Sequence, residues 1–189
     1  MELSAGRVYA LQNTFELNGR ISAYPESARG YSAGNCYLLK EGDRAMLLDT
    51  GYAVHEREIL GQLGSLIGPE TPLSIFPLRI NEFMSVSNAM AIAKRFNVVE
   101  CYSNVPDIED WIEFETLRGE ERNPVLKTTI IDRGDYARVE LDADRIVDVM
   151  NAPIRLISTR WIYDEVSKTL FSSDMFSHLW SDREDGPWL

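Results

Sequence analysis

Three short segments of this 189-residue chain run from an apolar stretch straight toward a carboxylate. They are MLLDTG (Met46–Gly51) with Asp49, PLRINEFMSVSNAMAIAKRF (Pro77–Phe96) with Glu82, and LFSSDMFSH (Leu170–His178) with Asp174. A short apolar run predicts a buried strand, and an acid at its end lies at the sheet edge, where open α/β folds keep their sites. Carboxylates gathered there can hold a cation or exchange a proton with a bound molecule. Each acid also has a plainer use, because Asp commonly caps a turn or anchors a strand end by hydrogen bonding. It is the ordered set of three that points to chemistry.

Charged and reactive neighbours complete the candidates. Arg79 opens the second segment, and Arg155 and Arg160 precede the third; a guanidinium can serve a carboxylate as a bidentate partner in place of a metal. The chain has two histidines. His178 follows the Asp174 turn and is a candidate ligand-binding residue with Arg79 and Arg160, whereas His55 opens a helix and is expected on the solvated surface. Cys36 and Cys101 belong to no CxxC or Cys/His cluster and are expected to be inert buried thiols. Trp161, Trp180 and Trp188 either line a pocket or fill core and interface.

The elements that must position these residues follow from hydrophobic period. RVYALQNTFEL and NCYLLKEGDRAMLLDTG alternate apolar and polar residues, with EGDR at Glu41–Arg44 as the turn of a hairpin. After Gly51 the period lengthens: Ile59, Leu60, Leu63, Leu66 and Ile67 predict an amphipathic helix from about Ala53 to Ile67, stopped by Gly68 and Pro69. A strand is expected at Leu73–Leu78, a polar turn at Ser85–Asn88, a helix at Ala89–Phe96 and a strand at Asn97–Asn104. A third helix is expected to start at Pro106 or Asp107 and stop at Gly119. KTTIID, ARVEL, RIVDVMNA, IRLIST and TLFSSDMF then read as strands. This order predicts one layered α/β or α+β domain spanning 1–189.

Composition narrows the function classes. With 44% hydrophobic residues a sizeable core is expected, and a formal net charge of -11 with scattered Lys and Arg offers no basic patch for nucleic acid or an anionic membrane surface. No run of about eighteen apolar residues and no basic-then-apolar leader occurs. A cytoplasmic protein is expected, reducing conditions matching the isolated cysteines.

In order and spacing the three segments resemble the metallo-β-lactamase superfamily. NCYLLKEGDRAMLLDTG looks like its early hairpin and Asp-Thr-Gly turn, and LRINEFMSVSNAMAIAKRF stands where that superfamily carries His-x-His-x-Asp-His-x-Gly-Asn and a helix. YDEVSKTLFSSDMFSH is similar to the stretch with the metal-bridging Asp, most of all in the flavodiiron branch, which also uses Glu for the second His. The resemblance runs from Asn35 to His178. It implies an αββα sandwich with the site at the strand ends, lacking the last strand and helix of the usual second half. Laying Asn88 on the motif's Asn puts Ile80, Glu82, Met84 and Ser85 at the four ligand positions, and Ser87 at the Gly. No His stands near Arg155 or Leu156, where a later ligand belongs.

The resemblance therefore implies a degenerate member without the dinuclear site: a non-catalytic binding, sensing or assembly module that takes an unknown small molecule or protein. No cofactor is expected beyond a weak or residual metal on Glu82 and Asp174. The competing reading is a hydrolase-like enzyme with an atypical site on Glu82 and Asp174, supported by Asp49, and a flavodiiron-like oxygen or nitric oxide chemistry ranks behind it. An exposed sheet edge makes a homodimer the expected assembly.

Overall fold

A computed structural model describes residues 1–20, 24–79, 83–105, 108, 112, 124–131, 136–153, 158–176 and 180–186, with side-chain surroundings described for all of these except Phe83. Eleven strands fall into two sheets among these residues. The first runs β1 (Glu2–Ser4), β2 (Val8–Glu16), β3 (Tyr31–Glu41), β4 (Arg44–Leu48), β5 (Leu73–Phe76), β6 (Val98–Ser103) and β7 (Thr128–Ile130), in chain order. The second has the order β11 (Thr169–Phe171), β10 (Arg160–Asp164), β9 (Arg145–Asn151), β8 (Tyr136–Asp142).

Pairing follows the connections. β1 to β4 are antiparallel neighbours, and the β3–β4 hairpin closes on Glu41↔Arg44, at the turn expected from EGDR. From β4 to β7 the pairs are parallel, which requires crossovers. The first is a 3-10 turn at Ala53–His55 followed by α1 (Glu56–Leu66); the second contains α2 (Phe83–Val86) and α3 (Ala89–Ala93). The segment expected to be a polar turn thus begins as one helical turn. The third expected helix lies mostly outside the described residues, as does the expected strand IRLIST apart from its last two residues.

Strand alternation sorts the core into two layers. The register row Leu38, Leu47, Ile75 and Cys101 faces α1 and α3, where Ile59, Leu63, Ala89, Met90 and Ile92 close over it. The opposite face carries Leu39, Met46, Leu48, Phe76 and Tyr102 against Val139, Val147, Val149, Ile162 and Phe171 of the second sheet. Each fully buried aliphatic side chain in these rows contributes roughly 1.5–3 kcal/mol. The layered α/β sandwich is as expected. All described helical residues with buried apolar side chains join the first layer, and the outer face of the second sheet carries partly exposed Trp161, Tyr163 and Leu170.

His55 departs from expectation. The 3-10 turn rolls it inward, so it is 8% exposed, with its ring Nε2 3.0 Å from the Thr14 carbonyl and its ring beside Phe15. It is a packed residue of the α1 entry, not a solvated one. Cys36 and Cys101 are free and buried as expected; burial raises both thiols, Cys101 up to about 12.

Candidate functional site

The C-terminal ends of β4, β5 and β6 converge beside the start of β10. Asp49 follows β4 in the left-handed backbone region (φ 59°), which Asp tolerates better than most residues. Gly51 follows at φ 77°, where an added Cβ would lie 2.4 Å from Ile59 Cδ1, so the Asp-Thr-Gly turn lets α1 pack directly on the strand end. The turn is held from the other crossover. Asn88 Nδ2 donates to the carbonyls of Thr50 (2.8 Å), Gly51 (3.2 Å) and Tyr52 (3.1 Å), and its backbone N–H donates to Thr50 Oγ1 at 3.1 Å.

Asp49 is 4% exposed, and its carboxylate points across to the end of β5. Oδ1 accepts the Leu78 N–H at 2.7 Å, and the Ser85 hydroxyl also bonds the carboxylate. Ser85 Oγ in turn accepts the Arg79 N–H at 3.3 Å. Burial pushes the Asp49 carboxyl up to about 6, against the pull of Ser85, Leu78 and the Arg79 charge; the Asp174 charge adds to the rise. A carboxyl set this close to neutrality can carry or release a proton near physiological pH.

Arg79 is tied to the second sheet as well. Its backbone bridges Thr159, and Arg160 N–H donates to the Leu78 carbonyl at 2.8 Å. Its guanidinium Nη1 pairs with Asp174 Oδ2 in a charge-assisted bond. Arg79 is largely buried, with its side chain 12% exposed, whereas Asp174 is 50% exposed in the turn after β11. That turn is itself shaped by Ser173 at φ 56°.

The structure therefore brings together Asp49, Arg79 and Asp174, and places Arg160 beside them at the sheet junction. Arg160 is 2% exposed, and its Nη2 lies 3.4 Å from the Ile131 carbonyl. Glu82, His178 and Arg155 lie outside the described residues, as do Ile80 and Trp188. Trp161 packs against Phe176 with ring centroids 5.9 Å apart, and Trp180 donates from its indole to the Arg29 carbonyl, away from the Asp49 cluster.

Sequence reasoning missed two members. Ser85 appeared only as a replaced ligand position and proves to join Asp49 to Arg79. Asn104, at the end of β6, is buried and donates to Ser158 Oγ at 2.5 Å, while its Oδ1 has no hydrogen-bond partner among the described residues. Its place at a strand's C-terminal end was the available signal.

No protein-family model matches this chain, and no curated protein matches it. Solved structures do. A flavodiiron protein from Giardia intestinalis superposes with a TM-score of 0.72 at 17% identity, over 97% of this chain and 42% of its own. The rubredoxin oxygen:oxidoreductase of Desulfovibrio gigas gives 0.70 at 17% identity, over 96% and 42%. A peroxy diiron species of a chemotaxis sensor gives 0.60 at 15% identity, over 78% and 57%. The chain thus spans 42% of the length of the first two proteins. Likeness at such identities is one of fold, and the fold of this chain is the metallo-β-lactamase-like fold of the flavodiiron proteins.

Proposed function

We propose that this chain is a metallo-β-lactamase-fold module without the dinuclear metal site, one that works by binding a small molecule or a protein partner and not by metal-assisted catalysis. The observation that carries this reading is the Arg79–Asp174 ion pair at the strand ends. A diiron or dizinc centre needs several N, S or O donors converging at about 2 Å. Here the one described carboxylate at the bridging position is already engaged by a guanidinium. Ser85 Oγ is engaged by Asp49 and the Arg79 backbone, and Met84 offers only a thioether. Among the described residues no three of His, Cys, Asp and Glu group as a metal site would.

The described residues do not fit a dinuclear centre. The neighbours named for diiron chemistry supply the fold; activity and partners of this chain stand on its own residues. Second copies of the chain are candidate partners, since strand β8 ends one edge of the second sheet with Tyr136 58% exposed. No described helix is long and apolar enough to cross a membrane, and the free, buried thiols support a reducing cytoplasm.

Elemental analysis of protein purified without chelator tests the reading. Iron, zinc and manganese are expected well below one equivalent per chain. A stoichiometric transition metal, or a turnover abolished by Asp174→Ala in a folded protein, would overturn it.

A further inference from the structure

We infer that Arg79 is a built-in cation: its guanidinium stands in for a metal at the strand ends, pairs with Asp174, and by its charge keeps divalent cations out. The inference rests on the metal-free reading above and deepens it by naming the group that takes the metal's place.

Three independent features place Arg79 for this role. Its backbone is clamped between layers, through the N–H to Ser85 Oγ, the bridge to Thr159 and the adjoining bond from Arg160 N–H to the Leu78 carbonyl. That clamp fixes where the side chain starts. Next, the side chain is largely buried, 12% exposed, so its charge is not dispersed in water as a surface Arg's would be. Finally, it meets acids from two elements: it pairs directly with Asp174 after β11 and acts electrostatically on Asp49 after β4. A buried cation bonded to one strand-end carboxylate and close enough to act on a second occupies the place that a bound metal ion otherwise would. Guanidinium suits the task because it is always charged, directional and unable to exchange into solvent.

The charge has a consequence for selectivity. Two carboxylates without a nearby cation attract hard divalent ions through their oxygens. With Arg79 present, an entering ion must displace a bonded guanidinium and then bear its repulsion at close range. Removing the charge should therefore create an affinity that the native chain does not have.

The test uses manganese(II) alone as the probe, read by electron paramagnetic resonance and calorimetry on the whole chain. Wild type and Arg79→Lys, which keeps the charge, are expected to bind no more than weakly. Arg79→Gln is expected to bind manganese more tightly by a factor on the order of ten or above, and Arg79→Gln/Asp174→Asn to lose that gain. Equal binding by wild type and Arg79→Gln overturns the inference. So does a gain in Arg79→Lys, a variant that preserves the ion pair and keeps the test decisive if Arg79→Gln fails to fold. A metal copurifying stoichiometrically with wild type would sink the metal-free reading itself, whereas a metal-free wild type with an unresponsive Arg79→Gln sinks this inference alone.

Discussion

Asp49 joins an unfavourable backbone to an unfavourable burial, and both are sustained by its neighbours. A left-handed conformation costs a non-glycine residue about 1 kcal/mol, and burial disfavours the carboxylate form. Leu78 N–H, the Ser85 hydroxyl and the Arg79 charge offset part of this, yet the carboxyl still rises from 3.8 to about 6. The native state thus holds this proton more tightly than the unfolded chain does. The contribution of Asp49 to stability is therefore largest at and below about pH 4 and is lost as pH rises through 6. Urea unfolding of wild type against Asp49→Asn is expected to show this loss only in wild type, on the order of 2–3 kcal/mol between pH 4 and 7. Parallel pH profiles would remove Asp49 as the source. At this scale the sequence was informative: Asp49, Arg79 and Asp174 were visible from their places at strand ends, and an Arg–carboxylate pair was expected there.

At the scale of elements, the Asp-Thr-Gly turn and the α2–α3 crossover hold each other. Asn88 bonds three successive carbonyls of the turn, of which the Tyr52 carbonyl also accepts the His55 N–H at 2.9 Å. Asn88→Ala is expected to cost about 2–3 kcal/mol, read from the denaturation midpoint at unchanged slope. Asn88→Asp should be worse, because it replaces the donor with a buried charge facing carbonyl oxygens. If Asp were tolerated as well as Ala, the amide donor would not be what holds the turn. The amphipathic period of α1 was legible from Ile59 and Leu63. The helical turn at Phe83–Val86 was not, since its four residues lack a period of their own and it exists by packing Val86 into the first core layer. His55 was misread for a related reason: a helix-start position predicts solvent exposure, and only the 3-10 turn against β2 puts it inside.

Across the whole molecule, one buried ion pair ties the sheets together. Arg145 of β9 and Asp164 of β10 are both 0% exposed and bond bidentately, Nε to Oδ1 at 3.1 Å and Nη2 to Oδ2 at 2.5 Å. Arg145 Nη1 then crosses to the first sheet, donating to the Lys40 carbonyl at 2.6 Å and the Arg7 carbonyl at 3.3 Å. Burial by itself would raise Asp164; the bonds from Arg145 and Ser167 outweigh it and hold the carboxyl below its ordinary 3.8. Its contribution to stability is present above 3.8 and is lost as pH falls toward the lowered native value, opposite in sign to Asp49. Asp164→Asn is expected to destabilise by about 3–5 kcal/mol at pH 7 and to remove this acid-limb loss, as measured by denaturant unfolding at pH 7 and pH 3. A loss under about 1 kcal/mol at pH 7 would show that water or a neighbour takes over the pairing.

What the sequence by itself determined is local: strand and helix periods, the Glu41–Arg44 turn, and acids placed where strands stop. Those follow from backbone sterics and from side chains repeating every two or 3.6 residues. Tertiary structure alone decided which distant residues meet. Arg79 reaches Asp174, Asn88 reaches Thr50, and Arg145 reaches Asp164 and Lys40, because strand order and register bring residues far apart in the sequence side by side. Nothing in the spacing of Arg145 marked it as buried, since a lone Arg opening a strand has the same local pattern whether it faces water or another sheet. The same reason separates Ser85 as a replaced ligand from Ser85 as the link between Asp49 and Arg79: its role is set by what folds against it.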